Sequence, residues 1–345
     1  MVAKKYAYKG VGWKSIGRSI IRLLIIISVI SVAASVSLVF AGQVNDIQLP
    51  NKLQDFSTLA SSIMVEAVPF IILGALVAGF VQTFVSEKAL FKILPKSPFF
   101  RRIVLSLSGS IFPVCECGNV PVARSLLAKG VKPAEAVTFL LAAPILNPVT
   151  FITTMEAFRF DQSMVVIRMV GAFIIANFIG WVLHHHPNQK SLVVDDFKTP
   201  AEVEHKHKHS LGYKKNKLTS MFVTEFWTMF KMLSVGAFVA AATQSFIPRE
   251  VLLHVGSQPV LSVLAMLLLA FIISLCANVD AFFALAYSST FTFGSLAAFL
   301  IFGPMIDIKI LLLMKTTFTT RLLIIITTLC FLMSLLIGLL VNYAL

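Results

Sequence analysis

Seven stretches of the chain stay predominantly apolar for twenty or more positions, and polar residues gather between them. They cover residues 19–41, 56–85, 133–155, 163–183, 221–247, 293–314 and 322–341. A helix rises about 1.5 Å per residue, so twenty such positions match the roughly 30 Å of bilayer hydrocarbon. Each stretch is expected to form a membrane-spanning helix. Two further apolar blocks break the pattern. Residues 103–129 are interrupted by Pro113, Gly118 and Pro121 within "PVCECGNVPVARSLLAKG", and residues 259–287 by "CANVD".

The segments recur in the same order. "LGALVAGFVQTF" at 73–84 matches "VGAFVAAATQSF" at 235–246, with Gly74 opposite Gly236 and Gln82 opposite Gln244. "CGNV" at 117–120 matches "CANV" at 276–279, and "FLLAAPILNP" at 139–148 matches "FLIFGPMIDI" at 299–308, which sets Asn147 opposite Asp307. Any one match is weak in so apolar a chain. Three in register, each offset by about 160 residues, point to a duplicated unit.

Loop charge decides how the two copies are oriented, because Lys and Arg in short loops favour the cytoplasm. If each interrupted block crosses the membrane, the copies are parallel and about 15 loop cations lie inside against about 10 outside. If each block is a re-entrant hairpin, the copies are inverted and the split becomes about 22 against about 3. The hairpin arrangement is preferred. The expected fold is an all-α polytopic membrane protein with an extra N-terminal helix and two inverted repeats, each of three transmembrane helices and one re-entrant hairpin. Its parts are a basic N-terminus and extra helix at 1–55, a first repeat at 56–184, a cytoplasmic His/Lys-rich linker at 185–220 and a second repeat at 221–345.

Composition agrees with this reading. The 345 residues are 57% hydrophobic and 13% charged, outside the range of soluble domains. The apolar run after Lys4, Lys5, Lys9, Lys14 and Arg18 is about twice the length of a signal-peptide core, so it is expected to be retained with the N-terminus in the cytoplasm. The net charge of +13 sits mostly beside apolar spans, which suits lipid headgroups and topology rather than nucleic acid. There is no phosphate-cradling Gly-Lys-Ser/Thr loop and no nucleophile and base at helical spacing, so neither an enzyme nor a cofactor is expected. The linker, with "HHHP" at 184–187, "HKHKH" at 205–209 and no apolar periodicity, is expected to be a largely disordered solvated connector, the alternative being that its His-rich tracts collect Zn or Ni.

Polar residues inside the apolar blocks are the candidates for chemistry. Cys115 and Cys117 lie two apart and Cys276 stands at the matching point of the second repeat, so three sulfurs from two hairpin tips would suit a soft metal or metalloid. The bland alternative is small residues packing where backbones approach. Cys330, alone in an apolar span, is expected to be structural. Glu66, Glu116, Asp280 and Asp307 are carboxylates inside spans or at tips, where an unpaired charge is costly, so they are functional candidates. Glu66 and Asp280 are the candidates for proton coupling. The alternative for Glu66 is a structural ion pair with Arg124 or Arg168. Asn119, Asn147 and Asn278 offer hydrogen bonds beside Pro121 and Pro148, and they line a pathway or only satisfy broken helices.

The stretch "PVCECGNVPVARSLLAKGVKPAEAVTFLLAAPILNPVT", with "EAVPFIILGALVAG" before it and "CANVDAF" and "FLIFGPMIDIK" after it, resembles the predicted permeases that include the bacterial organoarsenical efflux permeases. The resemblance covers about 56–341. It implies a multi-pass permease of the bacterial inner membrane, with Cys115, Cys117, Asn147, Asp280 and Asp307 as the family-like positions and, in some members, a second membrane or lipoprotein-like subunit. This chain departs from the family pattern at Glu116, where a small residue is expected, and at Ala277-Asn278, where Ser or an acid is expected. Metal ions and sulfur compounds therefore stand beside trivalent organoarsenicals as substrates. The leading expectation is a secondary transporter exporting a soft metal or metalloid through a midplane site. The alternatives are a permease for another small solute and a membrane subunit of a metal-handling assembly.

Overall fold

A computed structural model describes residues 51–110, 115–159, 162–194, 211–246 and 258–344. The expected helix at 19–41 and the tract at 205–209 lie outside the described residues. All named elements are helical: α1 Asn51–Phe84, α2 Glu87–Ile93, α3 Pro98–Leu107, α4 Glu116–Ala128, α5 Pro133–Ala142, α6 Pro148–Ala157, α7 Gln162–His184, α8 Leu211–Phe246, α9 Pro259–Ile273, α10 Asp280–Ala286, α11 Phe293–Met305, α12 Ile308–Met314 and α13 Thr320–Ala344. Among the described residues, five runs are long and apolar enough to cross a bilayer: Phe56–Phe84, Gln162–His184, Leu218–Thr243, Phe293–Met314 and Thr320–Ala344.

Prolines start the shorter helices. Pro98, Pro133, Pro148 and Pro259 each occupy the first turn of α3, α5, α6 and α9, where the missing N–H would have had no partner. The expected span at 133–155 is accordingly two helices. The chain leaves helix after Ala142, and Asn147 restarts it by accepting the Val149 N–H at 2.9 Å. The run at 293–314 breaks in the same way, and Asp307 accepts the Ile310 N–H at 2.6 Å. Asn147 and Asp307, set opposite each other by the sequence match, are thus equivalent helix caps.

The interrupted blocks become pairs of short helices, α3 with α4 and α9 with α10. Both members of the first pair pack on α5 and both members of the second pack on α11. Further contacts correspond between the halves: α5 with α7 and α11 with α13, α3 with α7 and α9 with α13, α6 with α10 and α12 with α4. The ends of these helices are tied by polar contacts. In the first half, Arg101 of α3 pairs with Glu135 of α5 at 3.2 Å. In the second, the Asn342 side chain at the end of α13 accepts the Gly294 N–H of α11 at 2.9 Å and donates to the Pro259 carbonyl of α9 at 3.2 Å.

The linker is shorter than the pattern implied. Helix α8 begins at Leu211 rather than near 221, because "LGYKKNKLTS" contains no helix breaker beyond Gly212 and extends the span as a polar helix. Residues 189–192 form a turn of 3₁₀ helix, and Val193 bridges Phe318. The Thr319 N–H donates to the Leu192 carbonyl at 3.1 Å and the Val194 N–H to the Thr317 carbonyl at 3.0 Å. Only the part at 195–210 lies outside the described residues.

Burial follows helical spacing. On α13, Leu322, Ile326, Cys330, Ser334 and Gly338 are buried four apart, while Ile324, Leu332, Leu336 and Leu340 are exposed. Cys330 therefore belongs to the packed stripe, as expected. Two matched glycines bring backbones together around the centre. A Cβ on Gly74 of α1 would lie 2.2 Å from the Gly118 carbonyl oxygen, and one on Gly236 of α8 would lie 3.1 Å from Cα of Lys309.

Candidate functional site

Cys115 caps α4 in extended conformation (φ −69°, ψ 173°), and its carbonyl accepts the N–H groups of Gly118 and Asn119, each at 3.1 Å. That turn buries Cys115, Glu116, Cys117 and Asn119, with exposures of 1–2%. On the other side α9 ends at Ser274, held in the left-handed region (φ 53°), a conformation costing an L-residue about 1–2 kcal/mol. The chain then turns through Cys276, Ala277 and Asn278 into α10.

The two turns meet. Sγ of Cys115, a carboxylate oxygen of Glu116 and Sγ of Cys276 all lie within 4.8 Å of one another. The Cys276 thiol donates to Glu116 Oε2 at 3.6 Å, and the Cys115 thiol is in hydrogen-bonding contact with both Cys117 and Cys276. Ile63, Glu66 and Ala67, spaced three and four apart along one face of α1, close the cleft, and Glu66 contacts Cys276. The free space has room for about one water molecule. A site of this size suits an ion or a very small species. Sulfur with one carboxylate is a donor set for soft or borderline metals and trivalent metalloids.

Lys309 also lines this cleft. It precedes the first loop after α12 and was counted among the loop cations, yet it is 3% exposed. Its ammonium lies 3.0 Å from Glu116 Oε1 and 3.7 Å from Asp307 Oδ2, and donates to the Ser274 carbonyl at 2.8 Å. Asp307 Oδ1 is occupied by the helix cap, and its buried Oδ2 is ion-paired with Lys309. One sequence signal pointed to Lys309: it follows the capping acid by two residues, on the segment that matches "ILNPV". Arg102, another counted loop cation, is 3% exposed as well.

The remaining candidates form a second polar cluster. Arg168 of α7 holds both oxygens of Asp280, at 2.9 and 2.7 Å, and donates to Thr154 Oγ1 at 2.7 Å and the Ala277 carbonyl at 3.2 Å. Thr150 of α6 donates to Asn278 Oδ1 at 3.3 Å and to the Pro144 carbonyl at 2.9 Å. Arg124 pairs with Glu225 of α8 at 3.1 Å and donates to Thr316 and Thr317. The alternative reading of Glu66, an ion pair with Arg124 or Arg168, does not form: each guanidinium is taken by an acid of the second half, Glu225 or Asp280. Burial explains this, since a fully enclosed arginine needs a carboxylate that is itself enclosed, and Glu66 is only half-buried.

Cys115, Glu116, Cys117 and Cys276, with Glu66, are thus brought together. Asp307 joins them through Lys309, Asp280 and Asn278 stand in the Arg168 cluster, and Asn147 serves as a cap. Comparison with known proteins covers most of the same chain. The family described as "Predicted permease" (ArsP_1) matches residues 52–343. The chain is 41% identical over 262 residues to "UPF0718 protein YcgR" of Bacillus subtilis (strain 168), covering 75% of this chain and 87% of that protein. It is 36% identical over 278 residues to a "Putative two-component membrane permease complex subunit" of Streptococcus mutans serotype c (strain ATCC 700610 / UA159), covering 79% and 90%. No solved structure matches.

Proposed function

The chain belongs to the ArsP_1 predicted-permease family, and from that premise we propose that it is a secondary permease exporting a soft metal or metalloid species held between two hairpin tips. The observation that carries this reading is the convergence of Cys115 and Glu116 with Cys276, from segments about 160 residues apart, on a cleft the size of one ion.

The tips are re-entrant and the halves inverted. At about 1.5 Å per residue α3, α4, α9 and α10 measure roughly 10–23 Å, short of the hydrocarbon thickness. The end contacts support the same topology. Arg101–Glu135 joins the entry end of the first hairpin, in the first turn of α3, to the start of α5, and Val193–Phe318 joins the linker to the loop before α13. If the blocks crossed the membrane, both contacts would link opposite faces. Moving Arg102 and Lys309 out of the loop count leaves the charge asymmetry intact, with the N-terminus and linker cytoplasmic in a bacterial cell membrane. Broken helices meeting between inverted repeats are a recurrent way of building a transport site.

Glu66, half-buried on the cleft wall against Cys276, is the group assigned to proton coupling. Asp280 is assigned to holding the second tip through Arg168. The Streptococcus relative is named as a complex subunit, which favours a second reading in which this chain works beside a partner subunit.

A deletion strain tests the proposal by growth in graded cadmium, copper and trivalent arsenicals. Complementation with the wild-type gene is expected to restore tolerance to at least one of them. The Cys115→Ser/Cys276→Ser gene is expected to fail despite normal membrane abundance. Equal rescue by both genes would remove the thiol site. Ion flux by the purified chain in liposomes separates the two readings: flux alone supports a self-sufficient carrier, and flux only on addition of a partner supports the complex.

A further inference from the structure

Lys309 occupies the charge position that a cationic substrate would take beside Glu116, and it shares that charge with a second carboxylate, Asp307. In the described arrangement its ammonium is 3.0 Å from Glu116 Oε1, and the Ser274 carbonyl, turned toward it by the left-handed backbone at that residue, accepts from it at 2.8 Å. Asp307 Oδ2, also buried, shares the same ammonium at 3.7 Å, the longer of its two ion pairs. The step from one carboxylate to the other is a rotation of the lysine's terminal bonds. The backbone does not have to move, and it passes close to α8, where a side chain at Gly236 would meet Cα of Lys309 at 3.1 Å.

Electrostatics gives this geometry a consequence. A carboxylate enclosed in a membrane protein cannot be left uncompensated, because its desolvation is worth several kcal/mol. Glu116 therefore needs a positive partner whether or not substrate is present. Resting on the reading of the Cys115–Glu116–Cys276 cluster as the cargo site, we propose that Lys309 is a tethered cation that holds the site when it is empty and passes to Asp307 when a soft metal cation enters. Loading is then an exchange of cations at Glu116. Release is the reverse exchange, with Lys309 displacing the ion. The substrate class that fits is a soft or borderline cation, such as Cd(II), Zn(II) or Cu(I), rather than a neutral metalloid hydroxide, which has no need of the carboxylate. Glu116, the residue in which this chain departs from the family pattern, is thereby a specificity determinant, with Lys309 as its counterpart. Asp307 acts through Lys309 as a positioning residue.

Affinity in the full-length chain, purified into nanodiscs, tests this with two probes. Cadmium reports the thiols and the carboxylate together. Phenylarsine oxide, neutral and able to bridge two thiols with loss of one water, reports the thiols alone. Asp307→Asn keeps an acceptor for the Ile310 N–H but removes the charged second position. It is expected to weaken cadmium binding roughly tenfold in the wild-type background and not at all in the Lys309→Gln background, a coupling characteristic of residues that act on one another. Lys309→Gln alone is expected to tighten cadmium binding roughly tenfold, since a competing charge is gone. If that variant yields too little folded protein, Glu116→Gln/Lys309→Gln, which removes both charges, serves as the background in which Asp307→Asn has no effect. An equal cadmium penalty for Asp307→Asn in both backgrounds would overturn the exchange while leaving the thiol site standing, provided phenylarsine oxide binding still depends on Cys115 and Cys276. Loss of that dependence removes the thiol site itself and the exchange with it.

Discussion

At Arg168 the protein places a guanidinium with no solvent exposure between Asp280, Thr154 and the Ala277 carbonyl. Removing one member of such a pair typically costs about 3–5 kcal/mol, whereas replacing both is close to neutral. Arg168→Met is therefore expected to lower the thermal midpoint of the purified protein sharply, and Arg168→Met/Asp280→Asn to recover most of the loss. The double variant should also retain proton-driven transport; loss of that transport at normal stability would return Asp280 to a proton-coupling role. For Glu66 the expectation is the opposite. Glu66→Gln should leave folding and metal binding nearly unchanged and make transport insensitive to an imposed proton gradient. Candidate chemistry was legible in the sequence at this scale because polar residues are expensive in an apolar chain, so Cys115, Glu116, Cys276 and Asp280 stood out against their surroundings. Their partners were not legible. Arg168 meets Asp280 across 112 positions and Glu116 meets Lys309 across nearly 200, and no local spacing encodes such distances. Lys309 was hidden for a further reason: its neighbours allowed it to be read as the first cation of a loop.

Between helices, the closeness of α1 to the first tip depends on Gly74. An alanine there would place its Cβ 2.2 Å from the Gly118 carbonyl oxygen, and backbone cannot yield as a flexible side chain can. Gly74→Ala is expected to cost about 1–3 kcal/mol and to displace the cleft wall, reducing metal binding. Gly303→Ala is the control. Its Cβ would meet nothing closer than 3.5 Å, so stability and binding should stay within experimental error of wild type, as read by thermal unfolding and cadmium titration. The long elements were legible from hydropathy, since a continuous apolar run permits little else in a bilayer. The breaks at Asn147 and Asp307 were flagged by their prolines and polar residues, but their meaning as helix caps required the backbone geometry. The start of α8 was missed because residues 211–220, mostly polar and without periodicity, read equally well as coil or as a solvated helix end.

Across the whole molecule, each half contributes a tip and each contributes a half-helix that touches the other's tip: α6 reaches the second tip through Thr150 and Asn278, and α12 reaches the first through Lys309 and Glu116. This reciprocal arrangement is what two matched units paired about a two-fold axis would produce, and the proposed hairpins make that pairing an inverted one. It predicts sidedness. Cysteines introduced at Lys132 and Lys315, both exposed, should react with a membrane-impermeant maleimide only after cells are opened, and one at Ser288 should react in intact cells. Labelling of Lys132→Cys and Ser288→Cys from the same side would refute the hairpins. The native cysteines do not interfere, being buried throughout.

The central claim is that sulfur from both halves binds one soft ion. X-ray absorption on the cadmium-loaded, full-length protein measures it directly. Sulfur scatterers from Cys115 and Cys276 are expected in the first shell together with oxygen, with one sulfur lost in Cys276→Ser and another in Cys115→Ser. A first shell of oxygen and nitrogen alone, unchanged by either substitution, would contradict the account.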